Sequence, residues 1–485
     1  MDQNPAMKSH PVLSLLALCT VHIVGPPPLR AAPVELQVES SQVIGEIRPL
    51  HGVNLGPLCY RGMVDLSAYH RELGVPFTRL HDVVWLNAEA VDIHTIFPDF
   101  RDDPERAENY DFRQTDDYLQ AIVNVGSQIV YRLGESIEHT PRKYRVHPPP
   151  DPEKWAAVCV GIIRHYNEGW AKGFRHLIRY WEIWNEPDVR PAMWTGTDEQ
   201  YFRLYEVTAK AIKARFPEVK VGGPALGHSG GFAGDTFQPS AFLTNFLAQC
   251  RQRGAPLDFY SWHRYTRNPA DFARWARAIR RVLDDTGFPR AESHLNEWNY
   301  LPNDDWRPMM KEGAGAPREK WFAEMGGPAG ATFTAWALIS LQDAPVDVAN
   351  YYTGEIQGFG LFDFHGLPKK TFYAMKAFKW LLDTPVRLAT RGDLAGRIVI
   401  CAGTNRDKTE VGILVSNFNS AEAKVELRIS PLPWNGPTLC ESYLVDGAHD
   451  LTKVNEARLE ANHVRLSQEL KAPSLCFVKL KKGAN

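Results

Sequence analysis

The chain has 485 residues, with 55 lysines and arginines against 57 aspartates and glutamates, a formal net charge of −2 and 44% hydrophobic residues. This composition excludes a disordered or fibrous protein, and without a basic excess it argues against binding nucleic acid through its phosphates. The 14 tryptophans and 17 tyrosines make carbohydrate one candidate ligand, because aromatic rings pack against the apolar faces of sugars while polar neighbours take their hydroxyls.

In chain order, the first element is the apolar run 12–25 behind Lys8, cut off by Pro26, Pro27 and Pro28. It is too short to span a bilayer and reads as the apolar region of a signal peptide over residues 1–32, with Ala31 and Ala32 as the cleavage zone. Export to the periplasm or the extracellular space is therefore expected, with no stable membrane insertion after cleavage. Residues 33–46 alternate apolar and polar and are expected to join a C-terminal accessory domain. Between residues 47 and 384, short strand-like runs alternate with segments of helical period. The runs are 49–56, 77–81, 128–133, 179–184, 219–222, 258–262, 292–296 and 331–337, and eight in one series predict a closed (β/α)8 TIM barrel. An open doubly wound sheet is the competitor, but no G-x-G-x-x-G follows the first strand. Phe272, Trp275, Ile279 and Val282 recur at helical spacing with Arg274, Arg277 and Arg281 between them, as in an outer barrel helix with a solvated basic face. Asp151 is placed to cap the helix that follows the proline run 148–150.

After residue 385 the texture becomes short alternating runs at 397–401, 411–417, 423–429, 441–445 and 475–480, which predict an antiparallel β-sandwich over 385–485. The fold class is thus α/β, a barrel with an accessory antiparallel sandwich. Beyond Cys19 the cysteines are Cys59, Cys159, Cys250, Cys401, Cys440 and Cys476. Their spacing fits no zinc site; isolated thiols are expected, with a bridge among the last three left open.

In such a barrel, function gathers at the C-terminal ends of the strands. Two ends carry a glutamate flanked by tryptophan and asparagine: Trp184-Asn185-Glu186-Pro187 after strand four, and Asn296-Glu297-Trp298-Asn299 after strand seven. Cleaving a glycosidic bond needs a proton for the leaving oxygen and an electron-rich group at the anomeric carbon, and two carboxyls supply both. Glu182 alternates with Ile183 and is read as structural. His51, His81 and His263 come from scattered positions without a metal-binding signature, and no metal or cofactor is expected.

The two glutamate motifs resemble those of the large clan of retaining glycoside hydrolases whose acid/base and nucleophile follow strands four and seven. His51-Gly52-Val53-Asn54, Thr78-Arg79-Leu80-His81-Asp82 and Trp262-His263-Arg264-Tyr265 narrow the likeness to glycoside hydrolase family 39, which includes β-xylosidases and α-L-iduronidases. The resemblance implies a retaining, exo-acting, β-xylosidase-like hydrolase of oligosaccharides or other glycosides. Glu186 would be the acid/base, Glu297 the nucleophile, Asn185 the partner of the sugar's 2-hydroxyl and Arg79 the cation beside the nucleophile. His51, His81, Asp82, His263, Tyr265 and Trp298 would serve substrate binding, and Trp336 would be the strand-eight tryptophan under the sugar ring. Asp343, Tyr351 and Tyr352 follow closely enough to line the same pocket. Lys311, Arg318 and Lys320 are read as belonging to a solvated loop rather than facing an acidic sugar. Two other readings share these residues: a carbohydrate-binding barrel without turnover, and a transglycosylase. Oligomeric state is not legible.

Overall fold

The computed structural model describes residues 33–59, 62–84, 89–394, 397–460 and 463–483. The expected signal peptide lies outside the described residues.

Eight parallel strands close into a barrel in chain order: Gly52–Asn54, Phe77–Arg79, Gln128–Leu133, Tyr180–Ile183, Lys220–Leu226, Phe259–Thr266, Glu292–Tyr300 and Val348–Tyr352. Strand eight closes the ring on strand one through Asn350 opposite Gly52 and Tyr352 opposite Asn54. Seven strands fall where the sequence pattern puts them. The eighth does not: residues 331–337 belong to the helix Pro328–Ser340, and the true strand follows it. That helix is buried from Gly330 to Ile339 without a break, because it lies between barrel strand seven and the C-terminal sheet, against Glu410–Asn417 and Ser474–Lys482. A helix covered on all sides loses the polar stripe by which its period is read. Ser416 Oγ donates to Thr332 O at 2.8 Å across this seam.

The outer helices follow their local signals. Asp151 accepts from Lys154 N at 3.0 Å and caps Pro152–Asn167, whose proline sits in the first turn where no N–H is missed. In Asp271–Asp285, Phe272, Trp275 and Ile279 are buried against the barrel, while Arg277 and Arg281 are exposed.

The accessory domain is one nine-stranded sheet, antiparallel except where the N-terminal strand Val34–Glu46 runs parallel to Lys424–Ile429. The same strand pairs antiparallel with Val386–Arg391, so residues 34–46 are an interior strand of the C-terminal sheet. The sheet curls around its own core of Leu36, Val38, Ile400, Ile413, Leu427 and Val478, and Gln468 Nε2 donates to Ser442 Oγ at 3.0 Å between strands near its opposite ends. Three of its strands, Val386–Arg391, Asp450–Leu459 and Val464–Glu469, carry too little apolar alternation to stand out in sequence. All six described cysteines are buried and free, so no bridge joins Cys401, Cys440 or Cys476. Burial pushes the Cys476 thiol up to about 12, which leaves it inert.

Candidate active site

Barrel strands four and seven deliver the two glutamates by different local devices. Strand four ends at Ile183, and the chain turns through Trp184 and Glu186, both with positive φ, 70° and 45°. The left-handed conformation at Glu186 is held by Glu186 N donating to Ala225 O at 3.0 Å and Val189 N donating to Glu186 O at 2.9 Å. Strained backbone of this kind persists where surrounding bonds over-determine it. Strand seven carries an irregularity opposite Trp262 and His263. Asn296 bonds Glu182 inside the barrel while Glu297, the next residue, lines the cavity.

Beneath the glutamates lies a fully buried hub. Arg79 donates from Nε to Glu182 Oε2 at 2.7 Å, from Nη1 to Glu297 Oε1 at 3.0 Å and Asn54 Oδ1 at 3.1 Å, and from Nη2 to Asn185 Oδ1 at 2.6 Å. Glu182, bonded also by Asn296, is the structural counter-ion of Arg79. Glu297 accepts on both oxygens, its Oε2 taking the Tyr265 hydroxyl at 2.9 Å. Charge-assisted bonds of this kind fix a carboxylate in place more firmly than neutral ones.

His263 stands between the two catalytic candidates, its Nδ1 at 2.8 Å from Glu186 Oε1 and 3.4 Å from Glu297 Oε2. Burial holds this imidazole down to about 4, so it is neutral at neutral pH. Glu186 moves the other way, up to about 8: burial contributes most and the neighbouring Asp188 charge adds to it, against His81 and Arg79. At pH 7 Glu186 therefore keeps its proton, the state a general acid requires. For Asp82, burial works against the charged form, but His81 at 3.1 Å and the Ile137 N–H at 2.9 Å hold the carboxyl below its usual range.

These groups open on a cavity of about 490 Å³ at the C-terminal end of the barrel. Of the residues expected at the site, Glu186, Glu297, His81, Asp82, His263 and Tyr265 line it. Arg79 and Asn185 lie fully buried behind it, with Asn185 Nδ2 at 3.3 Å from His81 Nε2. Five of the expected residues lie elsewhere. His51 points out of the barrel, its Nε2 on Leu73 O at 3.0 Å and its ring against Phe378. Trp298, next to Glu297 and so on the opposite side of the strand, packs edge-on against Phe272 and Tyr351. Trp336, on the seam helix, meets Phe418. The aromatic that strand eight brings to the cavity is Tyr352, joined there by Phe359 and Trp306. Tyr351 is buried on the far face, and Asp343 forms a two-bond pair with Arg387 at the seam. Sequence reading also passed over His139 and His228, loop residues of the cavity wall with no pattern to mark them.

Two donor clusters among the described residues have spacing that could hold a metal ion, Glu186 with His263 and Glu297, and Glu89 with Asp92 and His94; within each, the donor atoms lie within 4.8 Å of one another. In the first, the oxygens of Glu297 already accept from Arg79 and Tyr265, and Glu186 Oε1 is hydrogen-bonded with His263 Nδ1. The second borders another cavity, of about 530 Å³, lined by Glu89, His94, Glu135, Glu138 and Trp184 among others. There Asp92 binds Arg132 and Ser136, and His94 lies between Glu89 and Glu135.

Comparison with known proteins agrees with this geometry. The model of "Glycosyl hydrolases family 39" matches residues 60–411. A β-xylosidase from Geobacillus stearothermophilus is 30% identical over 264 residues, covering 50% of this chain and 49% of that protein, so the match spans about half of that relative. A β-xylosidase from Caldicellulosiruptor saccharolyticus is 24% identical over 411 residues, 79% of this chain and 77% of its own length. Among solved structures, a glucosidase from Croceicoccus marinus superposes with a TM-score of 0.78 at 24% identity, over 94% of this chain and 100% of that one, a likeness of fold.

Proposed function

The chain belongs to the glycosyl hydrolases of family 39, and from that premise we propose that it is a retaining, exo-acting β-glycosidase that releases a neutral, xylose-type sugar. The observation that carries this reading is the pair of carboxylates, Glu186 and Glu297, with oxygens within 4.8 Å of each other and of His263. Carboxyls about 5–5.5 Å apart leave no room for an attacking water and suit double displacement. Glu297 attacks the anomeric carbon as Glu186 gives its proton to the leaving oxygen, forming a glycosyl-enzyme. Glu186, now ionised, takes a proton from water, whose oxygen displaces Glu297 and frees the sugar with its configuration kept. Arg79 and Tyr265 hold the nucleophile on its two oxygens.

The preference for a neutral sugar is supported by the charge of the wall. Asp82, Glu186 and Glu297 line the cavity, and among its lining residues the one strong cation is Arg264, paired with Asp271 at 3.0 Å and stacked over Trp275. Arg318 spends its donors on the carbonyls of Pro308, Met309 and Met310, and Lys311 and Lys320 are exposed away from the cavity. A uronate would meet no unpaired lysine or arginine among these lining residues. That both curated relatives are named β-xylosidases supports a xyloside rather than another neutral glycoside. The test is a panel of aryl xylosides, arabinosides, glucosides, galactosides and uronides, with the first-formed anomer followed by NMR. Xyloside turnover with retained configuration is expected. Inverted product, or a preference for uronides, would sink the reading.

A further inference from the structure

Glu186 shares its turn with a second carboxylate that the double-displacement scheme leaves unused. Asp188 is partly buried, and among the described residues no lysine, arginine or histidine forms an ion pair with it. Its oxygens instead accept two backbone N–H groups from the loop after strand five, Gly227 N at 3.2 Å and His228 N at 2.8 Å. The same loop presses on the acid: a Cβ placed on Gly227 would stand 2.7 Å from Glu186 Oε1 and 3.0 Å from Val189 Cγ2. Burial pushes the Asp188 carboxyl above its usual range, the two amides of this loop work against that by favouring its charged form, and the loop leaves Glu186 room only because residue 227 has no side chain.

We propose that Asp188, clamped by the Gly227–His228 backbone, is a positioning residue for the proton of Glu186, a fixed negative charge beside the acid that keeps it protonated between turnovers. The proposal rests on Glu186 being the general acid. Other charges also face that carboxyl: Arg79, His81 and Asp82 from strand two and its end, and Glu297 from strand seven. His263, from strand six, is uncharged near neutrality. Arg79 and His81 pull the proton off, whereas Asp188 opposes them with a larger effect than Asp82. A like charge held in a partly desolvated site disfavours ionisation of its neighbour.

Asp188→Asn keeps the shape and one acceptor oxygen but removes the charge, and Asp188→Ser removes the charge with a smaller side chain. In both, the alkaline limb of kcat/KM for an alkyl glycoside should move down by about one pH unit or more. At about pH 5, where Glu186 is protonated with or without its neighbour, turnover should return close to that of the native chain. A dinitrophenyl glycoside, whose leaving group needs no proton, should be cleaved normally throughout and so reports that the site is intact. An unmoved limb in both variants overturns the proposal while leaving the glycosidase reading in place. An equal loss at every pH, with the dinitrophenyl glycoside affected as much, also overturns it by making Asp188 a structural tie. Native protein that cleaves no glycoside removes the proposal together with the reading on which it rests.

Discussion

The mouth of the barrel and the shell around it use the same residue types to opposite ends. At the mouth, Glu186, Glu297, His263 and Tyr265 face a cavity and bond one another through atoms a substrate can also reach. In the shell, His51, Trp298 and Trp336 are at most 3% exposed and meet only other protein atoms. A histidine or tryptophan is therefore functional here by where the backbone places it, not by its type. Changes at the mouth should alter catalysis, and changes in the shell should lower stability and spare catalysis.

The largest effect expected is at the nucleophile. Glu297→Gly should lower turnover by on the order of 10⁴-fold or more, as loss of a covalent nucleophile does, with azide restoring part of the first step. Normal turnover in this variant would end the comparison at its strongest point. Next comes the shell. Trp336→Ala should destabilise the chain by about 3–5 kcal/mol in denaturant unfolding, the cost of emptying a packed aromatic site. The KM of the folded protein should not move. A raised KM without loss of stability would return Trp336 to the substrate.

Glu186 allows the comparison to be made by pH. Its carboxyl lies near 8 in the folded chain against an ordinary value of 4.5, so the native state binds more protons than the unfolded state between those values. Stability contributed by the protonated carboxyl is present below about pH 4.5 and is lost as pH rises toward 8. Glu186→Gln cannot ionise. Its stability advantage over the native chain should grow across that window, to on the order of a few kcal/mol, and then level off, while its activity on poor leaving groups is lost. Parallel stability curves for the two proteins would show that the acid is not held protonated by the fold.

Much of this division was legible in the sequence. Glu186 follows the end of strand four by three residues and Glu297 lies in the C-terminal half of strand seven, where the barrel rule puts function. Alternation carries more than was drawn from it: Asn54 bonds Arg79 inside the barrel, which places His51, three residues back, on the outer side, and Glu297 places Trp298 there too. Strand eight was hidden for a different reason. The helix Pro328–Ser340 is buried between two layers, and its run of Ala, Thr, Phe and Trp reads as a strand because no solvent face interrupts it. That displaced the expected sugar-facing aromatic from Tyr352 to Trp336. The Gly227–His228 loop has no periodic signal, and its contact with Glu186 arises only when strands four and five lie side by side.

Tyr352 gives the smallest expected effect and the finest test of the boundary. It ends strand eight opposite Asn54 and lines the cavity, while Tyr351, one residue earlier, packs against Trp298 in the shell. Burial pushes the Tyr352 hydroxyl well above its ordinary range, so the ring meets substrate as a neutral phenol on an apolar face. Removing it should cost the apolar contact with one sugar, about 1.5–3 kcal/mol, or roughly ten- to a hundredfold in kcat/KM, with little loss of stability because the ring borders open space. Tyr351→Ala should lower stability and leave kcat/KM of the folded fraction nearly unchanged. Adjacent residues on one strand would then report opposite phenotypes, and the mouth would end between them; equal effects on catalysis would move that boundary outward into the shell.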